Sequence, residues 1–200
     1  MSTATTKRPS ARERLLAAGD ELFYNEGIHT VGIDRVLEKA NVAKGSLYYN
    51  FSGGKDELVE AYLTNRHGVW QARIDRGIGA HTDPEARLLA VFDVLGDLFA
   101  QPDFRGCAFL NATAEARPDS VESRAAERFR GWVHELFQGL VKDLGASDPE
   151  RLVRQLVVLY DGATTTAQIA ARRRSHADFA TASSLRSPVE PGAALSRMTR

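Results

Sequence analysis

Apolar residues recur every three or four positions along most of this chain, which is the spacing of one face of an α-helix. The first stripe follows Ser10 and Glu13, which have the separation of a capping box, and ends before Gly27; it contains Leu15, Leu16, Leu22 and Phe23. A second stripe predicts a helix over 33–40, with Ile33, Val36, Leu37 and Ala40 on its apolar face. Residues 44–50 predict a third helix of about two turns.

The later predicted helices are longer. From Lys55 one broad apolar face predicts a helix that ends near Gly77 or Gly79 and carries Leu58, Val59, Tyr62, Leu63, Val69, Trp70 and Ile74. Two more helix starts are predicted at 82–85 and 147–150, where a capping side chain precedes a proline and an acid. The periodicity predicts helices over 104–116, 119–144 and 149–174, and it weakens after Arg174. Strand-like alternation is not evident, so the fold class is predicted to be all-α, in two parts.

The second and third predicted helices have the spacing of a helix-turn-helix, with 41–43 as the turn. In that motif the second helix enters the major groove of DNA, and its first residues lie nearest the base edges. Lys44 can reach a phosphate or a guanine, Gly45 permits close approach of the backbone, and Ser46 can bond a base edge. The hydroxyl groups of Tyr48 and Tyr49 are expected to bind phosphate. Leu47 and Phe51 are expected to anchor the helix in the core.

Overall composition does not point to nucleic acid, but the distribution of charge does. Lys and Arg together number 26, as do Asp and Glu, so the formal net charge is zero. This balance excludes a globally basic nucleic-acid coat and an acidic, self-repelling disordered chain. The first 55 residues carry eight basic and six acidic residues, whereas the rest of the chain carries 18 and 20. Residues 1–12 and 39–55 contain no acid at all, which predicts a local basic patch around the helix-turn-helix.

Other classes of function find no support in the sequence. No apolar run approaches the roughly 18 residues of a membrane helix, and the first ten residues lack the apolar stretch of a secretory signal. The single cysteine, Cys107, excludes an internal disulfide and is interpreted as a buried structural thiol. We therefore expect a cytoplasmic protein that is not an enzyme and has no cofactor. We also expect no metal site, because metal-ligand spacing is absent among His29, His67, His81, His134 and His176.

The segment 33–51, Ile-Asp-Arg-Val-Leu-Glu-Lys-Ala-Asn-Val-Ala-Lys-Gly-Ser-Leu-Tyr-Tyr-Asn-Phe, is followed at 53–58 by Gly-Gly-Lys-Asp-Glu-Leu. Together they resemble the DNA-binding region of the TetR family of bacterial transcriptional regulators. The resemblance implies an N-terminal three-helix DNA-binding domain and a larger helical domain for ligand binding and dimerisation. It implies DNA contacts by Lys44, Gly45, Ser46, Tyr48 and Tyr49, and phosphate contacts by Thr30 and Lys55. The sequence departs from the family pattern at Asn41, Ala43 and Asn50.

The resulting domain prediction has four parts: a flexible basic arm at 1–11, a DNA-binding domain at 12–56, a ligand-binding and dimerisation domain at 57–186, and a disordered tail at 187–200. Pocket candidates are aromatic residues, or polar residues that interrupt apolar helices. They are Trp70, Phe92, Asn111, Glu115, Trp132, Asp161 and Thr165. By resemblance, the last two long helices form a four-helix bundle between two subunits, through a face formed by Leu152, Leu156, Leu159, Tyr160 and Ala163.

The implied function is that of a homodimeric, ligand-responsive regulator that binds a double-stranded DNA operator. The favoured form is a repressor released by a small molecule of unknown identity, with no membrane partner. An activator or a corepressor-dependent regulator fits the same residues. An alternative from another class is a helical small-molecule-binding protein whose DNA-reading residues are degenerate, as the departures at positions 41, 43 and 50 allow.

Overall fold

The computed structural model describes residues 8–114 and 116–184, with side chains described as far as residue 173. Over these residues the chain forms eight α-helices and no strand, which confirms the all-α prediction. The helices are α1 (Ala11–Glu26), α2 (Ile33–Ala40), α3 (Lys44–Asn50), α4 (Gly54–Gly79), α5 (Pro84–Phe99), α6 (Ala108–Thr113), α7 (Val121–Leu144) and α8 (Pro149–Ser184). None of them is long and apolar enough to cross a membrane.

The predicted helix starts are confirmed by their hydrogen bonds. Ser10 Oγ accepts from the Glu13 amide at 3.2 Å while the Glu13 carboxylate accepts from the Ser10 amide at 2.7 Å, which completes the capping box of α1. Asp83 accepts from the Ala86 amide at 2.8 Å at the start of α5. Asp148 accepts from the Arg151 amide at 3.1 Å at the start of α8. Each side chain satisfies an amide that the first helical turn leaves without a partner.

Helices α1, α2 and α3 form the N-terminal unit around a small apolar core. Leu15, Val36 and Leu47, one from each helix, are fully buried there, and so is Phe51 at the end of α3. The start of α4 covers this core with Leu58 and its neighbours, which are also buried. Burying each such side chain contributes roughly 1.5–3 kcal/mol, so the predicted anchors of α3 fix its orientation.

Helices α4 to α8 form the C-terminal unit, in which α4 packs along α5 and α7 while α7 packs along α8. The approach of α4 to α5 depends on Gly77, where an added Cβ would lie 2.5 Å from Cγ2 of Val94. Because α4 begins against the N-terminal unit and continues through the C-terminal unit, one helix links the two.

The prediction of a helix over 104–116 is wrong at its first turn and after residue 113. Residues 104–107 form a loop, and α6 is limited to Ala108–Thr113. The loop is required because Gly106 adopts a φ of +100°, which no residue of a right-handed helix has. Phe104 is buried at the start of the loop, so its apolar character reflects core packing without helix formation.

The predicted apolar face of α4 is wrong at Val69, which is 59% exposed. Ile74, five positions after Val69, is fully buried in the C-terminal unit. A helix advances about 100° per residue, so the broad stripe read from the sequence included one side chain outside the buried face.

The predicted subunit face of α8 is also wrong in part. Leu156 and Tyr160 are buried inside the chain, against α7 and α4. Leu159 lies about 100° around the helix from Tyr160 and is 59% exposed, together with Val158 at 69% and Ile169 at 51%. Leu152, Leu156 and Tyr160, spaced four residues apart, therefore lie on the inward face of α8. The outward apolar face begins one residue away, at Leu159.

The turn between α2 and α3 generates a stability prediction. Asn41 has φ of 50° and ψ of 58°, a left-handed conformation that Asn tolerates better than most residues with a side chain. Asn41→Val should lower the free energy of unfolding by about 1 kcal/mol or more, whereas Asn41→Gly should change it far less. Urea denaturation of both variants measures the difference. Equal destabilisation by Gly and Val would contradict the prediction.

Candidate nucleic-acid interface and ligand cavities

Helix α3 exposes one face and buries the other, as the sequence predicts. Tyr49 is 90% exposed and Tyr48 is 52% exposed, while Leu47 and Phe51 are fully buried. The remaining predicted DNA contacts also lie at the surface of α3, with Lys44 and Gly45 exposed and Ser46 half-buried. The helix thus presents two tyrosine rings, a lysine and an accessible backbone side by side on a rigidly anchored element.

Polar contacts hold the helix-turn-helix in place. Nη1 of Arg14 donates to the carbonyl oxygens of Ala40 and Asn41 at 2.9 and 2.7 Å, which ties the end of α2 to α1. Nδ2 of Asn50 donates to the Ser46 carbonyl at 2.7 Å within α3. The residue before α3 is Ala43, which supplies no side-chain cap. The departures from the family pattern at 41 and 50 therefore occupy structural positions.

The two residues predicted to bind phosphate outside α3 differ in their surroundings. Thr30 is exposed in the connection before α2. Lys55, in contrast, is half-buried, and its Nζ donates to the Ile28 carbonyl oxygen at 2.6 Å and lies 6.0 Å from the centroid of the Phe23 ring. Burial lowers the pKa of Lys55. Because its ammonium group already has an intramolecular partner, a contact between Lys55 and phosphate stays a prediction.

A junction that the sequence analysis missed joins α1 to the C-terminal unit. The Tyr24 hydroxyl donates to the Gly106 carbonyl at 3.0 Å and accepts from the Arg105 amide at 2.9 Å. The Arg66 guanidinium lies 4.0 Å from the Tyr24 ring centroid and donates to both carboxylate oxygens of Asp20 at 2.7 and 2.8 Å. The sequence carries no signal for these contacts, because Arg66 lies 46 residues from Asp20, and Arg105 and Gly106 lie 81 and 82 residues from Tyr24.

Two cavities of about 230 Å³ each lie in the C-terminal unit, on either side of a shared wall. The wall consists of Cys107, Phe109, Phe129, Tyr160 and Thr164. The α4 cavity is completed mainly by residues of α4 and α5, with Arg66, Trp70, Arg73 and Leu95 among them. The α7–α8 cavity is completed by residues such as Glu127, Arg130, Val157 and Asp161. Both are largely apolar spaces with a few polar groups, the usual character of small-molecule sites.

The structure brings two of the predicted pocket residues to these cavities. Trp70 lines the α4 cavity, and its indole Nε1 donates to the Tyr160 hydroxyl at 2.9 Å. Asp161 lines the α7–α8 cavity, where its carboxylate lies 3.0 Å from Nη2 of Arg130. Burial raises the pKa of Tyr160, so its hydroxyl keeps its proton at neutral pH.

The other predicted pocket residues lie elsewhere. Phe92 packs on Phe137 in the core, and Trp132 packs on the Phe129 ring from outside the cavities. Asn111 lies in a surface groove beside the N-terminal unit, where its Oδ1 accepts from Gln168 at 2.7 Å. Thr165 is exposed on α8. Glu115 lies outside the described residues.

Nothing in the sequence distinguishes two residues of the shared wall, Cys107 and Phe109, from ordinary core residues. Cys107 precedes α6, and burial raises the pKa of its thiol, so the thiol stays protonated at neutral pH. Phe109 stacks on Phe129 with ring centroids 4.1 Å apart. Within the described part of the chain, no three His, Cys, Asp or Glu side chains are placed to hold a metal ion.

His67 of α4 backs the wall. Its ring meets the rings of Phe109, Phe129 and Trp132 edge-on, at centroid distances of 6.2, 5.5 and 5.1 Å. Its Nε2 is buried and finds no hydrogen-bond partner among the described residues. Burial, with a smaller contribution from Arg128, lowers the pKa of His67.

Comparison with known proteins agrees with the geometry. The model of the family described as bacterial regulatory proteins, tetR family, matches residues 15–62. A TetR-family transcriptional regulator from Streptomyces coelicolor has a similar crystal structure, with a TM-score of 0.75 and 38% identity over 80% of this chain and 84% of that one. The helix-turn-helix regulator LmrA of Bacillus subtilis is 25% identical over 141 residues, covering 69% of this chain and 74% of LmrA. The repressor NemR of Escherichia coli is 30% identical over 136 residues, covering 64% of this chain and 66% of NemR.

The surroundings of His67 predict a loss of stability in acid. Since its folded-state pKa is lowered, the unfolded chain binds a proton near the ordinary histidine pKa of about 6.5 while the folded chain does not. Stability therefore falls as the pH drops from about 6.5 toward the lowered pKa. His67→Phe keeps the aromatic packing and should reduce the loss between about pH 7.5 and about pH 5.5, as measured by urea denaturation. The exposed His81→Gln is the control; a His67→Phe variant with the pH dependence of the wild type would contradict the prediction.

Proposed function

The chain belongs to the TetR family of bacterial regulatory proteins and is a helix-turn-helix transcriptional regulator; from this premise we propose that it is a homodimeric repressor released from its DNA operator by a small molecule. The observation that carries the proposal is the presentation of α3. Its anchors Leu47 and Phe51 are buried, and its polar face is open. A recognition helix requires this arrangement, because a loosely held helix could not deliver side chains to base edges.

In the proposed complex α3 lies in the major groove. Lys44 and Ser46 approach the base edges at its start, and Gly45 lets the backbone come close. Tyr48 and Tyr49 donate to phosphate oxygens, and Thr30 does so from the connection before α2. The acid-free segment 39–55 includes this surface. Of its three lysines, Lys39 pairs with Glu21 and Lys55 donates to the Ile28 carbonyl, so Lys44 is the one expected to meet the DNA backbone or a base.

We assign DNA binding to residues 12–56 and ligand binding with dimerisation to residues 57–186. Residues 8–11 of the predicted basic arm precede and enter α1, while the rest of that arm and the predicted tail at 187–200 lie outside the described residues. The proposed boundary falls in the first turn of α4. Any tilt of α4 caused by a ligand in the C-terminal unit would therefore be passed directly to the N-terminal unit.

The second subunit is proposed to pack on the outward face of α8. Val158, Leu159 and Ile169 are exposed there by half or more of their surface, and Gly162 and Thr166 between them are small. An exposed apolar stripe of this kind is typical of an interface between subunits. Two copies joined through α8 would present two α3 helices, which must match half-sites about 34–36 Å apart or a multiple of that distance.

Release by a ligand is proposed to act through the α4 helix and the α1 junction. Arg66 lines the α4 cavity and also holds Asp20 and Tyr24 of α1. A ligand that displaces Arg66 or α4 would favour a conformation with the two α3 helices out of register with the operator. Ligand and DNA would then weaken each other's binding reciprocally, by roughly 5–150-fold.

Substitutions on α3 test the DNA-binding proposal. Lys44→Ala and Tyr49→Ala should each weaken binding to the operator about tenfold, because each removes a contact to a base or a phosphate. Gel shifts with promoter fragments that flank its own gene, at fixed salt, measure the effect, and sedimentation shows whether the oligomeric state is retained. Lys142→Ala, an exposed lysine at the far end of α7, is the matched control.

The same gel shifts decide between the two classes of function. A wild-type protein with no salt-dependent preference for any promoter fragment over random DNA would contradict the repressor proposal. That result would instead favour the small-molecule-binding protein with a degenerate DNA-reading surface.

A pair of exposed leucines tests the subunit interface. Leu159 on α8 and Leu89 on α5 are 59% and 51% exposed. Leu159→Glu should turn the dimer into a monomer, because it would place two carboxylates in an apolar contact between subunits. Leu89→Glu should leave the dimer intact. Analytical ultracentrifugation measures both, and a Leu159→Glu variant that stays dimeric would place the interface elsewhere.

A further inference from the structure

We propose that the effector is an amphipathic organic anion, whose apolar body fills the α4 cavity and whose carboxylate pairs with Arg73. This inference rests on the proposed function and specifies the chemistry of its ligand. It follows from three properties of the cavity: an aromatic lining, an unneutralised guanidinium, and a buried hydroxyl with a hydrogen still to donate.

The lining accounts for the apolar body. Trp70, Phe104, Phe109, Phe129 and Tyr160 surround the α4 cavity, together with Leu95 and Leu98. Phe104, Phe109, Phe129 and Tyr160 are themselves buried, so their rings are held in place by the surrounding helices. A flat or slender apolar group packed against these rings would remove apolar surface from water.

Charge accounts for the anion. The lining contains two arginines, Arg66 and Arg73, and no Asp or Glu. Arg66 is neutralised by its two hydrogen bonds to Asp20. Arg73 takes part in no ion pair among the described residues; with the amide of Gln101 turned so that its oxygen faces Arg73, that oxygen accepts at 3.0 and 3.1 Å. A neutral amide leaves the positive charge uncompensated, and a carboxylate is the group that matches a guanidinium in both charge and shape.

The Tyr160 hydroxyl provides a second point of recognition. Its oxygen accepts from Trp70 at 2.9 Å, which fixes the ring and hydroxyl in the wall. Among the hydrogen bonds of the described residues it donates none, although the residue is only 5% exposed. A buried donor without an acceptor is costly, so an acceptor atom of the ligand at this hydroxyl would gain a hydrogen bond.

The neighbouring cavity shares Phe109, Phe129 and Tyr160 of the wall but lacks an unneutralised guanidinium. In the α7–α8 cavity the guanidinium of Arg130 is already paired with Asp161 at 3.0 Å, and Glu127 adds a further negative charge to the lining. An anion would meet repulsion there and no free cation. The preference for an anion is therefore specific to the α4 cavity.

Matched acids and amides test the proposal by calorimetry on the full-length protein without DNA. The probes are naphthoate with naphthamide, and decanoate with decanamide, so that each pair differs only in the charged group. We expect at least one acid to bind about tenfold more tightly than its amide. Arg73→Gln should reduce that preference to within about threefold. The control, Arg76→Gln, should keep the preference, because Arg76 is exposed on the same helix and bonds its own backbone at Ala72.

Every outcome of this titration bears on the proposal. Equal binding of acid and amide, binding of neither pair, or a preference that survives Arg73→Gln would overturn it. Because the titration contains no DNA, such a failure would leave the proposed repressor function untouched. Operator gel shifts with Arg73→Gln test that function separately, and we expect the unliganded variant to bind the operator as the wild type does.

Discussion

The orientation of the N-terminal unit on the C-terminal unit depends on the contacts of the Arg66 guanidinium with Asp20 and Tyr24. The guanidinium forms a two-pronged ion pair with Asp20 and lies against the Tyr24 ring, so one side chain of α4 fixes the last two turns of α1. Both members of the pair are about 29% exposed, which limits screening by water and salt. Paired charges with planar, bidentate geometry restrict orientation as well as distance. A regulator that must place two recognition helices at a set spacing needs that restriction.

The same guanidinium also faces the cavity that we assign to the effector. In the proposed mechanism, a ligand in this cavity would affect the orientation of α1 through a single group, with no long chain of intermediate contacts. Since α4 is continuous from Gly54 to Gly79, the helix adds a second, mechanical route between the same two regions. Coupling through a shared element with two arrangements is the physical basis on which one ligand alters the binding of another.

Local chemistry explains which parts of the fold were predictable. The starts of α1 and α5 follow from capping side chains, and the bounds of α2 and α3 follow from apolar spacing; those predictions are confirmed. The loop at 104–107 and the phase of α8 depend on partners far along the chain, so periodicity alone misplaced both. The contacts of Tyr24 have no signal in the sequence. Of the pocket candidates, Trp70 and Asp161 line the two cavities of the C-terminal unit and Asn111 lines the groove beside the N-terminal unit. The sequence did not separate them from the others, because polar and aromatic residues occur in cores and cavities alike.

Gly106 is in close contact with both α1 and α8. Its carbonyl accepts from Tyr24 of α1, and a Cβ at its position would lie 2.2 Å from Cδ of Gln168 on α8. One residue without a side chain therefore lies between α8, the helix proposed to join two subunits, and α1 of the DNA-binding unit. A side chain at position 106 would have to displace Gln168, and the same residue bonds Tyr24, so a change there would disturb the packing of α8 and of α1 together.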